Sequence, residues 1–158
     1  MPDGSVGERE VVEQPDAVGV VPLAGDGTVL LLRQYRHPFG EYMLEIPAGK
    51  LDREGEDPQE AAARELTEET GFVADRLEPL FSFRNSAGWT DEVTHLYLAR
   101  GLSNEGLPAD FTPKAEEADM EVVRMPLADA LAAVRDGTIS DAKTVIGLLL
   151  SAGPAGSG

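Results

Sequence analysis

Glu68 and Glu69 follow Glu65 by three and four residues. On a helix that spacing brings all three carboxylates to one face. Clustered like charges cost helix stability, and Arg64, one turn before Glu68, is the only obvious intrahelical counter-charge. A hard divalent cation relieves the repulsion. Mg2+ takes oxygen ligands and usually retains waters for a phosphate substrate. A solvated acidic helix carries the same Glu-x-x-Glu-Glu spacing, so the flanking residues have to decide between the two.

Those flanks mark a helix. Asp57 is a good N-cap, Pro58 fits the first turn, and Glu60 stands three residues after the cap, as in a capping box. Gly71 is the natural C-cap. The run from Ala61 to Leu66 consists of strong helix formers, with Ala62 and Leu66 a turn apart and able to face a core.

Strand candidates surround this helix. Upstream they are Arg9–Glu13, Ala17–Leu23, Thr28–Tyr35 and Tyr42–Ile46. Ala24-Gly25-Asp26-Gly27 predicts a hairpin between the second and third of these. Downstream, Leu77–Phe83 and Val93–Ala99 flank a loop over Arg84–Glu92, and Gly101–Asp119 reads as a long irregular segment with Pro108 and Pro113. A last strand at Glu121–Met125 precedes helices over Pro126–Asp136, ended by Gly137, and Asp141–Leu150. Strands, a central helix and two C-terminal helices predict an α/β domain, a mixed sheet between helical layers. One domain is expected over residues 9–150, with residues 1–8 and the tail Ser151–Gly158 disordered.

Composition narrows the chemistry. Thirteen Lys and Arg against 29 Asp and Glu give a net charge of −16, the wrong sign for nucleic acid or an anionic membrane. A small phosphorylated ligand is still accessible to an acidic protein if metal ions and a few arginines reverse the local field. There is no cysteine, so thiolate zinc sites and disulfides are excluded, and two histidines, His37 and His95, make a histidine-built site improbable. No apolar run reaches membrane-spanning length and no signal-peptide core is present. A cytoplasmic location is the expectation.

Gly49, Glu56, Arg64-Glu65-Leu66, Glu68-Glu69 and Gly71-Phe72 together resemble the Nudix box of the Nudix hydrolases. Six residues separate Gly49 from Glu56 where the usual pattern has five; the extra residue falls in the Asp52–Gly55 loop, ahead of the helix. Three further stretches are similar to the ADP-ribose pyrophosphatase branch: Gln34-Tyr35-Arg36, Leu44-Glu45-Ile46-Pro47-Ala48-Gly49, and Leu96-Tyr97-Leu98-Ala99-Arg100. The similarity runs from about Arg9 to Leu150. Where that branch commonly carries Ser-Pro-Gly, this chain has Ser86-Ala87-Gly88.

The resemblance implies a Nudix-type αβα sandwich and hydrolysis of a nucleoside diphosphate linked to a second moiety. ADP-ribose, cleaved to AMP and ribose 5-phosphate, is the first candidate. Other nucleotide sugars, NADH and dinucleoside polyphosphates are alternatives, as is a non-hydrolysing nucleotide sensor. Two or three Mg2+ or Mn2+ ions are implied, held by Glu65, Glu68, Glu69 and the carbonyl of Ala48. Arg64 would brace the glutamates, and Glu56 would orient the loop or join a metal's outer shell. The implied general base is Glu116 or Glu117. Arg36, Arg9, Glu45 and Trp89 are the candidate substrate contacts, with Arg33 or Arg36 as a bidentate phosphate clamp and Trp89 either stacking on a base or filling a core or loop-anchoring role. A homodimer is also implied.

Overall fold

The computed structural model describes residues 4–108 and 119–153. Among these residues, seven strands and three helices follow one another as β1 (Ala17–Pro22), β2 (Thr28–Arg36), β3 (Glu41–Glu45), β4 (Ala48–Lys50), α1 (Pro58–Thr70), β5 (Phe72–Arg84), β6 (Val93–Asn104), β7 (Glu121–Pro126), α2 (Leu127–Asp136) and α3 (Ala142–Ser151). They form two sheets. One has the order β4-β1-β6-β5 and is mixed, because β1 and β6 run parallel; the other, β3-β2-β7, is wholly antiparallel.

Strand β1 is central to the architecture. It is covered on both faces, which is why its sequence is a nearly unbroken apolar run instead of an alternation. Val18 and Val20 join Ala61, Ala62 and Leu66 of α1 in one core cluster. Val21 belongs to a second cluster with Val29, Leu31, Ile46, Leu96 and Leu148, beneath α2 and α3. At Gly19 an added Cβ would lie 2.9 Å from Leu96 Cδ2 and 3.2 Å from Ile46 Cδ1, so the close approach of these layers depends on a missing side chain.

Several sequence expectations need correction. The Ala24–Gly27 turn forms, with Gly27 at φ +82°, but β1 and β2 are linked only by an isolated Leu23–Val29 bridge. The flanks of β1 are taken by β4 and β6, and β2 leads into the second sheet. Arg9–Glu13 is not a strand; Val12 alone bridges to Thr90. Ala48–Lys50, at the start of the box, forms the three-residue strand β4, which is absent from the strand candidates. Strands β5 and β6 are longer than expected, and β6 takes Gly101–Asn104 out of the predicted irregular segment. Helix α3 runs one residue into the predicted tail.

The box helix itself agrees with its sequence signals. Asp57 accepts a hydrogen bond from the Gln59 amide at 2.8 Å, and Gly71 closes the helix at φ +73°. The longer loop before it is accommodated by Gly55 at φ +75°, and α1 is uninterrupted.

Candidate active site

The chain crosses from the second sheet to the first at Ile46–Pro47. Pro47 has no amide hydrogen, so it ends β3; its carbonyl accepts from Val20 N at 2.9 Å and starts β4 alongside β1. That crossing lays Ala48 and Gly49 against the acidic face of α1. Glu69 Oε2 accepts from Ala48 N at 2.9 Å. Glu65 lies directly over Gly49: a Cβ built there would be 2.1 Å from the Glu65 carboxyl carbon. A side chain at position 49 would therefore displace that carboxylate.

Arg64 organises the other side of the cluster. Its Nε and Nη2 donate to the two oxygens of Glu56 at 2.8 and 3.0 Å, and its Nη1 reaches Glu65 at 2.5 Å and Glu68 at 3.0 Å. One planar guanidinium thus holds three partly buried carboxylates, a geometry that a lysine point charge cannot supply. The hydrogen bond from Arg64 holds the Glu56 carboxyl below the usual range, and the same contacts raise Arg64 further above its ordinary value. Burial pushes the Glu65 carboxyl up, against the pull of Arg64. Glu68 also accepts from Arg53 at 3.3 Å.

The donor set suits a hard cation. Among the described residues no three carboxylate or imidazole groups converge closely enough to cage an ion unaided. An ion here would draw on Glu65, Glu69, the Ala48 carbonyl, water and phosphate oxygens. That is how Mg2+ is commonly held.

Beside Ala48 and Gly49 opens a cavity of about 340 Å³, lined by Arg36, Lys50, Asn85, Glu92 and Lys143 among others. Arg36 and Glu45 form a bidentate pair at 2.6 and 2.7 Å, and Lys143 donates to the same carboxylate. Glu45 is only 2% exposed, so the group that this pair offers to the cavity is Arg36. Across the cavity Lys50 pairs with Glu92, which also accepts from Asn85. Arg33 is three residues from Arg36 and so points to the opposite face of β2. It lies 3.7 Å from the Tyr42 ring centroid and 3.5 Å from Glu121, away from this cavity.

Arg9 and Trp89 meet in a separate cavity of about 540 Å³, together with Arg84 and Asp91. Hydrogen bonds from Val12 N to Trp89 O and from Thr90 Oγ1 to Val12 O dock the N-terminal segment on this loop. Trp89 is 62% exposed, so it is not a core residue. Glu116 and Glu117 lie outside the described residues. Sequence reasoning missed Lys143 and Lys50. Each is a lone lysine in an unremarkable context, and only the fold brings them to the box.

The NUDIX domain family matches this chain over residues 13–146. The chain belongs to the Nudix hydrolases. It is 40% identical to the methanol dehydrogenase activator of Bacillus methanolicus, over 92% of this chain and 77% of that protein. It is 38% identical to the ADP-ribose pyrophosphatase of Bacillus subtilis, over 91% of this chain and 76% of that one. A crystal structure of an ADP compounds hydrolase superposes with a TM-score of 0.74 at 31% identity, covering 87% of this chain and 70% of that one. The αβα Nudix fold expected from the box is the fold observed. The NUDIX match, over most of the chain, includes Gly49, Arg64, Glu65, Glu68 and Glu69.

The Glu45 network has a measurable acid limit. Burial alone would raise the Glu45 carboxyl; the Arg36 hydrogen bond and the Lys143 charge outweigh it and lower the pKa from 4.5 to about 2. The folded state therefore binds this proton less readily than the unfolded chain. Its stabilisation is present above pH 4.5 and is lost as pH falls through about 2. The shift corresponds to roughly 3 kcal/mol. Chemical denaturation across that window should show Glu45→Gln lacking this part of the acid-induced loss. Parallel wild-type and variant curves would refute the assignment.

Proposed function

We propose that this protein is a Mg2+- or Mn2+-dependent pyrophosphohydrolase that cleaves ADP-ribose to AMP and ribose 5-phosphate. The observation that carries the reading is the packing of Glu65 and Glu69 against Ala48–Gly49, beside a cavity walled by Arg36. Bound there, divalent cations would neutralise phosphate charge and make water more acidic. Arg64 keeps Glu65 and Glu68 in place, and Arg36 offers its guanidinium to a phosphate oxygen. The Arg9–Trp89 cavity, with an exposed indole, Arg9 and Arg84 in its wall, suits an adenine base beside a phosphate. Glu116 or Glu117 takes the proton from the attacking water, whose oxygen joins one phosphorus as the bridging oxygen leaves with the other. A homodimer and a cytoplasmic setting belong to the same proposal.

The test is a product-resolved panel in Mg2+ containing ADP-ribose, an ADP-sugar, NADH, a dinucleoside polyphosphate and a nucleoside triphosphate. Selective release of AMP and ribose 5-phosphate is expected. Turnover of a different member would keep the reaction and replace the substrate. Nucleotide binding without turnover of any would favour a sensor. In the same assay one of Glu116→Gln and Glu117→Gln should lose most activity; if neither does, the base lies elsewhere and Glu92, already in the cavity wall, is next to be tested.

A further inference from the structure

A third cavity, of about 700 Å³, adjoins the one beside the box. The two share Arg36, Asp141, Ala142 and Lys143 in their walls, and His37, Phe39 and Met43 line the far one. The partition between them is an ionic chain. Arg36 donates through Nε and Nη2 to Glu45; Lys143 donates to Glu45 Oε2 and, at 3.0 Å, to Asp141. Asp141 is the N-cap of α3 and accepts from Thr144 N at 3.0 Å and Thr144 Oγ1 at 2.6 Å. Thr144 Oγ1 in turn accepts from Ile46 N at 2.9 Å, one residue beyond Glu45. Thr144 is fully buried, and α3 is seated on the core by Leu148 and by Gly147, where a Cβ would meet Val21 at 2.7 Å.

We propose that Lys143 is a positioning residue for substrate: it clamps the Glu45 carboxylate from α3 so that the Arg36 fork is held at the partition between the two cavities. This rests on the pyrophosphohydrolase reading, in which Arg36 meets a phosphate oxygen. A bidentate pair fixes the guanidinium only as firmly as its carboxylate is fixed. Glu45 is the last residue of β3, on an edge of the second sheet, just before the chain crosses to the first. A second anchor from another element removes its remaining rotation. The Arg36 side chain stays 34% exposed, so its position is expressed at the cavity wall. The Lys143 ammonium is committed to two carboxylates and acts through Arg36.

Binding of ADP-ribose measured calorimetrically without divalent metal, so that no turnover occurs, tests this. Lys143→Met should weaken binding about tenfold, the scale of one charge-assisted hydrogen bond. In an Arg36→Met background the same change should add nothing, because coupled residues are non-additive. Lys143→Arg, which keeps a cation on Glu45, should restore most of the affinity and guards against loss through misfolding. With Mg2+ the loss should appear in KM, with kcat little changed. Unchanged binding in Lys143→Met, or a full additional loss on top of Arg36→Met, would overturn the inference. A wild-type protein that binds ADP-ribose without hydrolysing it overturns only the proposed reaction and leaves the coupling to be read as described. A wild-type protein that does not bind it overturns both.

Discussion

Glu69→Gln is expected to lower kcat by several orders of magnitude while leaving the fold intact. The reason lies in what the substitution keeps. A glutamine oxygen can still accept a hydrogen bond from the Ala48 amide nitrogen, which lies 2.9 Å from Glu69 Oε2, so β4 stays docked on α1. What is lost is one negative charge on the acidic face of the helix, where the proposed cation would sit, and hard cations depend on carboxylate charge. Steady-state turnover at increasing Mg2+, with thermal unfolding measured alongside, separates the two effects. Near-normal turnover at ordinary Mg2+ would remove Glu69 from the metal site.

Gly49→Ala should separate activity from stability in the same direction, by sterics in place of charge. The new methyl would fall 2.1 Å from Glu65 Cδ and Oε1. Those atoms are the end of a flexible side chain, so the carboxylate can swing away and unfolding should shift by only a few degrees. Swinging away takes Glu65 from the Ala48–Gly49 strand and strains its 2.5 Å contact with Arg64. Misplacing a site group by about 1 Å can cost on the order of a hundredfold in rate. A drop in kcat of that order is expected, with the melting curve almost unchanged. Full activity would mean that Glu65 need not rest where the structure puts it.

Local chemistry made part of this protein legible from the sequence. The box helix was readable because each of its signals acts over one turn: Asp57 caps Gln59, Gly71 takes a left-handed conformation, and Glu65 and Glu69 share a face by spacing alone. Arg64 as a counter-charge to Glu68, one turn away, was readable for the same reason; its role as a brace came from the family resemblance, and the structure adds its pair with Glu56. The α/β class followed from the alternation of apolar runs with that helix.

Tertiary structure decided everything that depended on distant partners. Turn residues at Gly25–Gly27 predict a hairpin, but a turn cannot specify which strands its arms pair with; β1 found β4 and β6, and only Leu23 and Val29 bridge. Between Arg33 and Arg36 the sequence offered no choice; the pleat of β2 turned one to Tyr42 and the other to Glu45. Lys143 stands 98 residues from Glu45, and no periodicity links them. Charge complementarity is chemically legible in a sequence, but proximity is not, and it was the docking of α3 on β1 and β6 that carried Lys143 to Glu45.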